Sequence, residues 1–283
     1  MNVIVGTIVA LLCIAGGYMA HGGKLMALFQ PFEVLIIGGA ALGAMIISNP
    51  KAVTMGVFKS VGPLLKPTPY NKNFYLELLA LMFDIFNKIK RQGMIAIESD
   101  IDDPHASPIF SKYPSITNDH HVTEFISDYL RIMMLGAMAP HEMENLMDME
   151  LETHHAESAL VPGAITKVSD GLPGFGIVAA VLGIVNTMGS LGGPPEILGQ
   201  KVGAALVGTL LGILFAYGFV GPFASLLEHK EREHAKFYEC IKVCLMATIN
   251  GAPPKIAVEF GRKIVYHSMR PTFQELEDRV SKK

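Results

Sequence analysis

Two long apolar stretches dominate the second half of the chain. Residues 172–192 and 202–227 contain no Asp, Glu, Lys, Arg or His. Each approaches or exceeds the roughly 20 residues that a helix needs to cross a bilayer. Small and hydroxyl residues recur inside them at helical spacing: Gly176, Ala180, Gly183 and Thr187 in the first, Ala205, Thr209, Gly212 and Ala216 in the second. Such faces suit close helix packing and can line a narrow wet path. If ions cross there, the group that carries them must come from another chain. Residues 2–20 form a third uncharged run and 34–49 a shorter fourth, introduced by Pro31 and Glu33. The pattern predicts four crossings, two near each end, with polar, periodic sequence between the pairs.

In that middle block Phe74, Leu78, Leu81, Met82, Ile85 and Ile89 recur at three- and four-residue steps and predict an amphipathic helix over 71–91. Asn71 or Asn73 can cap it, and Lys88, Lys90 and Arg91 precede a stop at Gly93. Pro63, Pro67 and Pro69 mark a hinge over 61–70, and Pro104, Pro108 and Pro114 a loop. Further helices are expected over 121–138, 140–155, 226–250 and 256–267. Asp170 caps the third crossing in this reading, with Pro173 in its first turn. The turn 192–195 follows, and Pro222 bends or ends the fourth crossing. No strand-like alternation appears. The expected fold is an all-α membrane protein: four transmembrane helices, a large helical cytoplasmic domain between the second and third, and a helical C-terminal tail. The expected boundaries are 1–50, 51–169, 170–227 and 228–283.

Composition supports a membrane protein. Half of the 283 residues are hydrophobic and only 17% are charged, against about 25% in ordinary soluble domains. Of 23 basic residues, ten lie in 51–167 and eleven in 230–283, leaving only Lys24 and Lys201 in the short connections inside each pair. The positive-inside rule therefore places the middle block and the tail in the cytoplasm, with both short connections facing outside and the N-terminus beginning inside. No basic region precedes residues 2–20, which read as a retained anchor and not as a cleavable signal. Cys13, Cys240 and Cys244 fit reduced thiols packed on helices. A net charge of −3 without a basic stripe argues against a nucleic-acid partner.

Candidate chemistry is sparse. His120-His121 and His154-His155 are adjacent and splay across a helix, which suits a solvated face better than a metal site. No nucleophile elbow, phosphate loop or kinase signature is present. Gly171, Gly174 and Gly176 open a membrane helix without the strand that a phosphate loop needs, so neither enzymatic activity nor a cofactor is expected. Pro173 and Pro222 carry two readings: plain markers of helix ends, or devices that free a backbone carbonyl in hydrocarbon. Thr187 and Thr209, deep in the uncharged helices, either bond back to their own helix or face an ion. Glu33 is expected at the outer surface. Lys88, Lys90, Arg91, Glu98, Asp100, Asp102 and Asp103 form a basic helix end followed by an acidic loop, a solvated surface or a docking face.

Three strings are more specific than hydropathy: DGLPGFGIVAA (170–180), VGTLLGILFAYGF (207–219) and NGAPPKIAVEFGR (250–262). With the arrangement of crossings, they make the chain resemble the MotA family, the A subunits of bacterial flagellar stators in the MotA/TolQ/ExbB superfamily. The resemblance implies a homo-oligomeric ring, of five copies, around a dimer of a MotB-type partner in the bacterial inner membrane. That partner has one membrane helix bearing an Asp and a domain that grips peptidoglycan, and its Asp is the missing proton carrier. By the same resemblance Pro173 and Pro222 are functional prolines, and Ala180 and Thr209 match positions facing the ion path; Thr187 joins them as the other hydroxyl deep in the uncharged helices. Sodium-driven relatives have a Thr where this chain has Ala180, so the translocated ion is expected to be H+. Lys90, Arg91, Glu98 and Glu150 match the family's cytoplasmic charges that meet the rotor protein FliG, although Lys90 stands where the family has Arg. An ExbB/TolQ-like subunit is the alternative; those relatives usually have three crossings.

Overall fold

The computed structural model describes residues 2–189 and 192–281. Ser190 and Leu191, at the end of the expected third crossing, and Lys282-Lys283 of the tail lie outside them. In chain order the helices are α1 (Asn2–Ala20), α2 (Pro31–Ser48), α3 (Lys51–Leu65), α4 (Lys72–Gln92), α5 (Glu98–Asp102), α6 (Pro114–Thr117) and α7 (His120–Leu135). They continue with α8 (Pro140–Met188), α9 (Pro195–Ile213), α10 (Gly221–Ile249), α11 (Pro254–Ile264) and α12 (Phe273–Ser281). Among the described residues there is no strand, and four helical segments are long and apolar enough to cross a membrane. The chain divides into two compact units, Met1–Pro67 with Ser158–His229, and Thr68–Glu157 with Lys230–Lys283.

In the first unit, α2 buries Glu33, Ile37, Ala41 and Met45, one residue every four, so a single stripe of the helix faces inward. Ile37 and Ala41 pack with Leu172 and Ala179 of α8 and with Ala216. Leu64 of α3 packs with Ile165, Ala224 and Leu227. The α1 span buries none of its residues inside the chain. Leu12, Ile177 and Val185 are more than half exposed. Faces this apolar are covered by lipid or by other subunits in a membrane protein.

The second unit has an aqueous-type core. Helix α4 buries Tyr75, Leu78–Phe83 almost continuously, then Ile85 and Phe86, and packs with Phe237, Cys240, Ile241, Cys244 and Leu245 of α10. Both ends of α4 are sealed as expected: Asn71 Oδ1 accepts the Phe74 N–H at 3.0 Å, and Gly93 adopts φ +86°. Asp119 accepts the Val122 N–H at 3.3 Å to start α7. Cys240 and Cys244 are buried free thiols, and the Cys240 thiol donates to the Gly261 carbonyl at 3.3 Å.

Several expectations need correction. Asp170 does not open a helix: α8 is continuous from Pro140 to Met188 with Pro162 and Pro173 inside it. Each proline removes only its own N–H, and the ladder on either side carries the helix through. Residues 61–65 are helical and not a hinge, since α3 absorbs Pro63 and closes with the Lys66 N–H on the Pro63 carbonyl at 3.1 Å. Pro222 ends nothing. A seven-residue π-helical segment, Leu214–Val220, leads without interruption into α10. Helix α7 stops at Leu135 because Gly136 turns left-handed at φ +62°. Helix α11 stops at Ile264, and α12 was not foreseen. Glu33 is only 8% exposed, so it does not reach the outer surface.

Candidate functional site: the α8/α9 seam and a basic groove

The seam between α8 and α9 is built from small residues on both helices. A methyl group added to Gly176 would stand 3.0 Å from both the Gly208 carbonyl oxygen and the Gly212 Cα. One added to Gly183 would stand 2.9 Å from the Ala205 Cβ. The two backbones therefore touch, which in lipid is where van der Waals packing holds helices together. Gly208 fills the same role between Gly212 and Ala205 and was missed by the sequence reading, although it lies four residues before Gly212.

The expected ion-path residues distribute along this seam. Ala180 is 9% exposed, and its backbone nitrogen lies 3.3 Å from the position of a methyl on Gly208. Thr187 is buried, and its hydroxyl donates to the Gly183 carbonyl at 2.7 Å, one turn back on its own helix. Thr209 is half-buried beside Gly208. At the other end Pro173 is half-buried inside α8 and Pro222 is exposed as the second residue of α10. Between them Ser169, also missed, donates its hydroxyl to the Ala216 carbonyl at 2.9 Å. That carbonyl also takes the Gly221 N–H, a five-residue reach made possible by the π turn. Pro173 and Pro222 thus flank one shared link between α8 and the π segment.

Glu33 enters the same seam from α2. Its carboxylate lies 2.9 Å (Oε2) from where a methyl on Gly208 would sit and 3.6 Å (Oε1) from the corresponding point on Gly183. The signal for it was present in sequence: Glu33, Ile37, Ala41 and Met45 share one four-residue register.

In the second unit the charge run splits into two kinds. Lys88 is internal: its Nζ meets Asp100 Oδ2 at 2.6 Å, Asp100 is 2% exposed, and Ser107 donates to the other carboxylate oxygen at 2.6 Å. Asp103 caps the Ala106 N–H at 3.1 Å, and Asp102 faces Arg131 at 3.5 Å. Lys90 and Arg91 are exposed and line a groove of about 880 Å³ with Lys112, Lys255 and Asp84. Glu98 and Glu150 are exposed but do not line it. Glu150 instead accepts a short hydrogen bond from the buried Tyr129 hydroxyl, which with burial holds that phenol above its ordinary range. His154, Tyr238 and His234 form a ring cluster with centroids 5.0–5.2 Å apart. Burial, then His154, pushes the His234 imidazole down to about 4.

Residues 4–93 match the family Motility protein A N-terminal, and residues 118–240 match the MotA/TolQ/ExbB proton channel family. Motility protein A of Salmonella typhimurium is 44% identical over 280 residues, covering 99% of this chain and 95% of the relative. Motility protein A of Escherichia coli matches at the same identity and coverage. Chemotaxis protein LafT of Vibrio parahaemolyticus is 37% identical over 98% of this chain and 97% of its own length. Among solved structures, C. jejuni MotAB superposes with a TM-score of 0.78 at 18% identity, over 96% of this chain and 98% of that one. The flagellar MotAB stator complex from Bacillus subtilis gives 0.72 at 23%, over 90% and 92%. Those two likenesses are of fold. By its sequence over nearly its whole length, the chain belongs to the Motility protein A family, within the MotA/TolQ/ExbB proton channels.

Proposed function

We propose that this chain is the A subunit of a bacterial flagellar stator. It would form a homo-oligomeric ring around a MotB-type dimer and convert a flow of protons into torque on the rotor protein FliG. The observation that carries the reading is the α8/α9 seam. It is closed backbone to backbone at Gly176 and Gly212, while the opposite face of α8, with Ile177, Val181 and Val185, is apolar and open. Residues 172–192 and 202–227 hold no Asp, Glu, Lys, Arg or His. An ion passing along these two helices therefore needs a carboxylate from outside them, and a MotB-type membrane Asp, approaching from the open face, supplies one.

In this reading Pro173, Ala180, Thr187, Thr209 and Pro222 border the ion path. Neutralising the partner's Asp relieves a charge held in low dielectric and changes which ring position it prefers. Ala180 offers no oxygen to a desolvating sodium ion, which favours H+. Lys90, Arg91, Glu98 and Glu150 face the rotor, with Lys90 and Arg91 set in a groove suited to an acidic surface. The ring sits in the inner membrane with both termini in the cytoplasm, as the Lys and Arg distribution requires. The N-terminal pair α1 and α2, inside the Motility protein A match, favours this reading over an ExbB/TolQ-like subunit.

The test is co-expression of the chain with its cognate B subunit in a motile host lacking stators. Restored rotation, with a ring of A subunits around two B subunits on electron microscopy, supports the proposal. A ring that assembles and drives no rotation in any host rotor contradicts it.

A further inference from the structure

Three helices here carry a glutamate at the third position of their first turn. Glu142 reaches back to the Ala139 N–H at 2.9 Å, and Glu275 to the Thr272 N–H at 2.7 Å. Glu275 completes a capping box with Thr272, and Glu142 makes the glutamate half of one, the ordinary use of an acid at that place. Glu33 holds the same position in α2, behind Pro31, and does not do this. Gln30 makes no side-chain cap, and Glu33 turns inward instead, more than nine-tenths buried. Its Oε2 has no hydrogen-bond partner. An acid gives up a cap bond and solvent only where its side chain has another use, because an unpaired buried polar group is costly.

The space it occupies is made for it. Gly208 on α9 stands where any side chain would run into the carboxylate, and Gly183 on α8 lets Ala205 close in beside it, a methyl there standing 3.6 Å from Oε1. Ala179 and Ala205, both fully buried, stand beside those two glycines. Thr187, one turn beyond Gly183, has committed its proton to the Gly183 carbonyl. The charged groups on the packing elements are Lys24 in the α1–α2 connection, Glu196 and Lys201 on α9, and Lys167 and Asp170 on α8. Seven residues separate Lys201 from Gly208, about 10 Å of helix.

We propose that Glu33 is a second proton-exchange site of this family's ion path, supplied by the A chain itself. The cradle suits a proton and no larger cation. Neighbouring helix carbonyls are engaged in their own ladders, and a metal ion needs several oxygens where this site presents one carboxylate. The site lies at the α2/α8/α9 seam, level with Ala180, Gly183 and Gly208. A proton arriving at Glu33 is already inside the seam, one helix from the open face that the partner's Asp would serve. The inference rests on the stator reading for its direction, though not for the site.

The experiment uses the full chain purified with its B subunit, as wild type, E33Q and E33D, in lipid vesicles. Two quantities are read: the infrared carboxyl C=O band as pH is varied, and proton uptake by an enclosed pH dye. Ring assembly of each variant is checked by size. A pH-dependent band that is lost in E33Q and displaced in E33D, with uptake at least tenfold slower in E33Q, is expected. An unchanged band or an unchanged uptake in assembled E33Q overturns the proposal. If wild-type vesicles pass no protons, the stator reading fails and the band alone decides Glu33.

Discussion

Gly176 and Gly212 meet backbone against backbone: a methyl group on Gly212 would stand 2.8 Å from the Gly176 Cα and 2.7 Å from the Leu172 carbonyl oxygen. Neither neighbour is a flexible side chain, so relief requires the helices to separate. Gly212→Ala is predicted to lower stability by about 1–3 kcal/mol, the range for overpacking. It is read as a fall in the thermal midpoint of the detergent-solubilised complex by circular dichroism. Gly174→Ala is the control. Nothing lies within 4 Å of its added methyl, and the change is expected to be neutral or mildly stabilising.

Lys88 and Lys90 stand two residues apart and have opposite environments. Lys88→Met leaves Asp100 buried with only Ser107 as a partner. The loss is predicted at about 2–3 kcal/mol, toward the low side for a broken buried pair because Lys88 is itself 25% exposed. Lys90→Ala and Arg91→Ala, on the exposed groove, are expected to stay within about 0.5 kcal/mol of wild type while impairing rotation. Denaturation and tethered-cell assays on the same three variants check this. A rotation defect confined to Lys88→Met would contradict the groove assignment.

The second unit, Thr68–Glu157 with Lys230–Lys283, is predicted to weaken in mild acid through His234. Its imidazole titrates near 6.5 when unfolded and about 4 when folded, so between those values the unfolded chain binds the extra proton. The stability is therefore complete above pH 6.5 and lost as pH falls toward 4, by about 3 kcal/mol in all. The groups that face it are His154, His121, Asp119, Tyr238 and Glu231, whose Oε2 is 3.9 Å away. Of these, Asp119 works in the opposite direction. His234→Phe keeps the ring packing and is expected to flatten the unfolding free energy between pH 6.5 and 4.

What the sequence made legible follows from how local each signal is. The ends of α4 and α7 depend on a cap and a glycine within a few residues of one another, and Asn71, Asp119 and Gly93 take those places. The separation of Lys88 from Lys90 and Arg91 was also available, since Lys88 follows Ile85 by three residues on the buried side and the other two leave it. The continuity of α8 was not legible. A proline three residues after an aspartate looks the same at a helix start as in a helix interior, and only the helical turns that precede Asp170 in α8 distinguish them. The small residues of the seam were evident, but their pairing was not, because Gly176 and Gly212 meet only in three dimensions. Glu33 was misplaced because its position after Pro31, at the outer end of the crossing, was weighed above the inward register it shares with Ile37, Ala41 and Met45.

A threonine at position 180 would put a hydroxyl into the proposed ion path and add two heavy atoms at a buried place in the seam. Ala180→Thr places an oxygen beside the Gly208 backbone, where Ala180 is already 9% exposed. Proton-driven rotation is expected to slow, with no sodium dependence gained from this one change, because a single oxygen does not desolvate the ion. Rotation speed at two sodium concentrations checks it.

The most direct test of the account is the ion that drives rotation. Tethered cells of a stator-less host, carrying this chain and its B subunit, are recorded while external sodium varies at fixed pH, and a protonophore is then added. The account predicts rotation that ignores sodium and stops with the protonophore. Rotation that scales with sodium and survives the protonophore would contradict it.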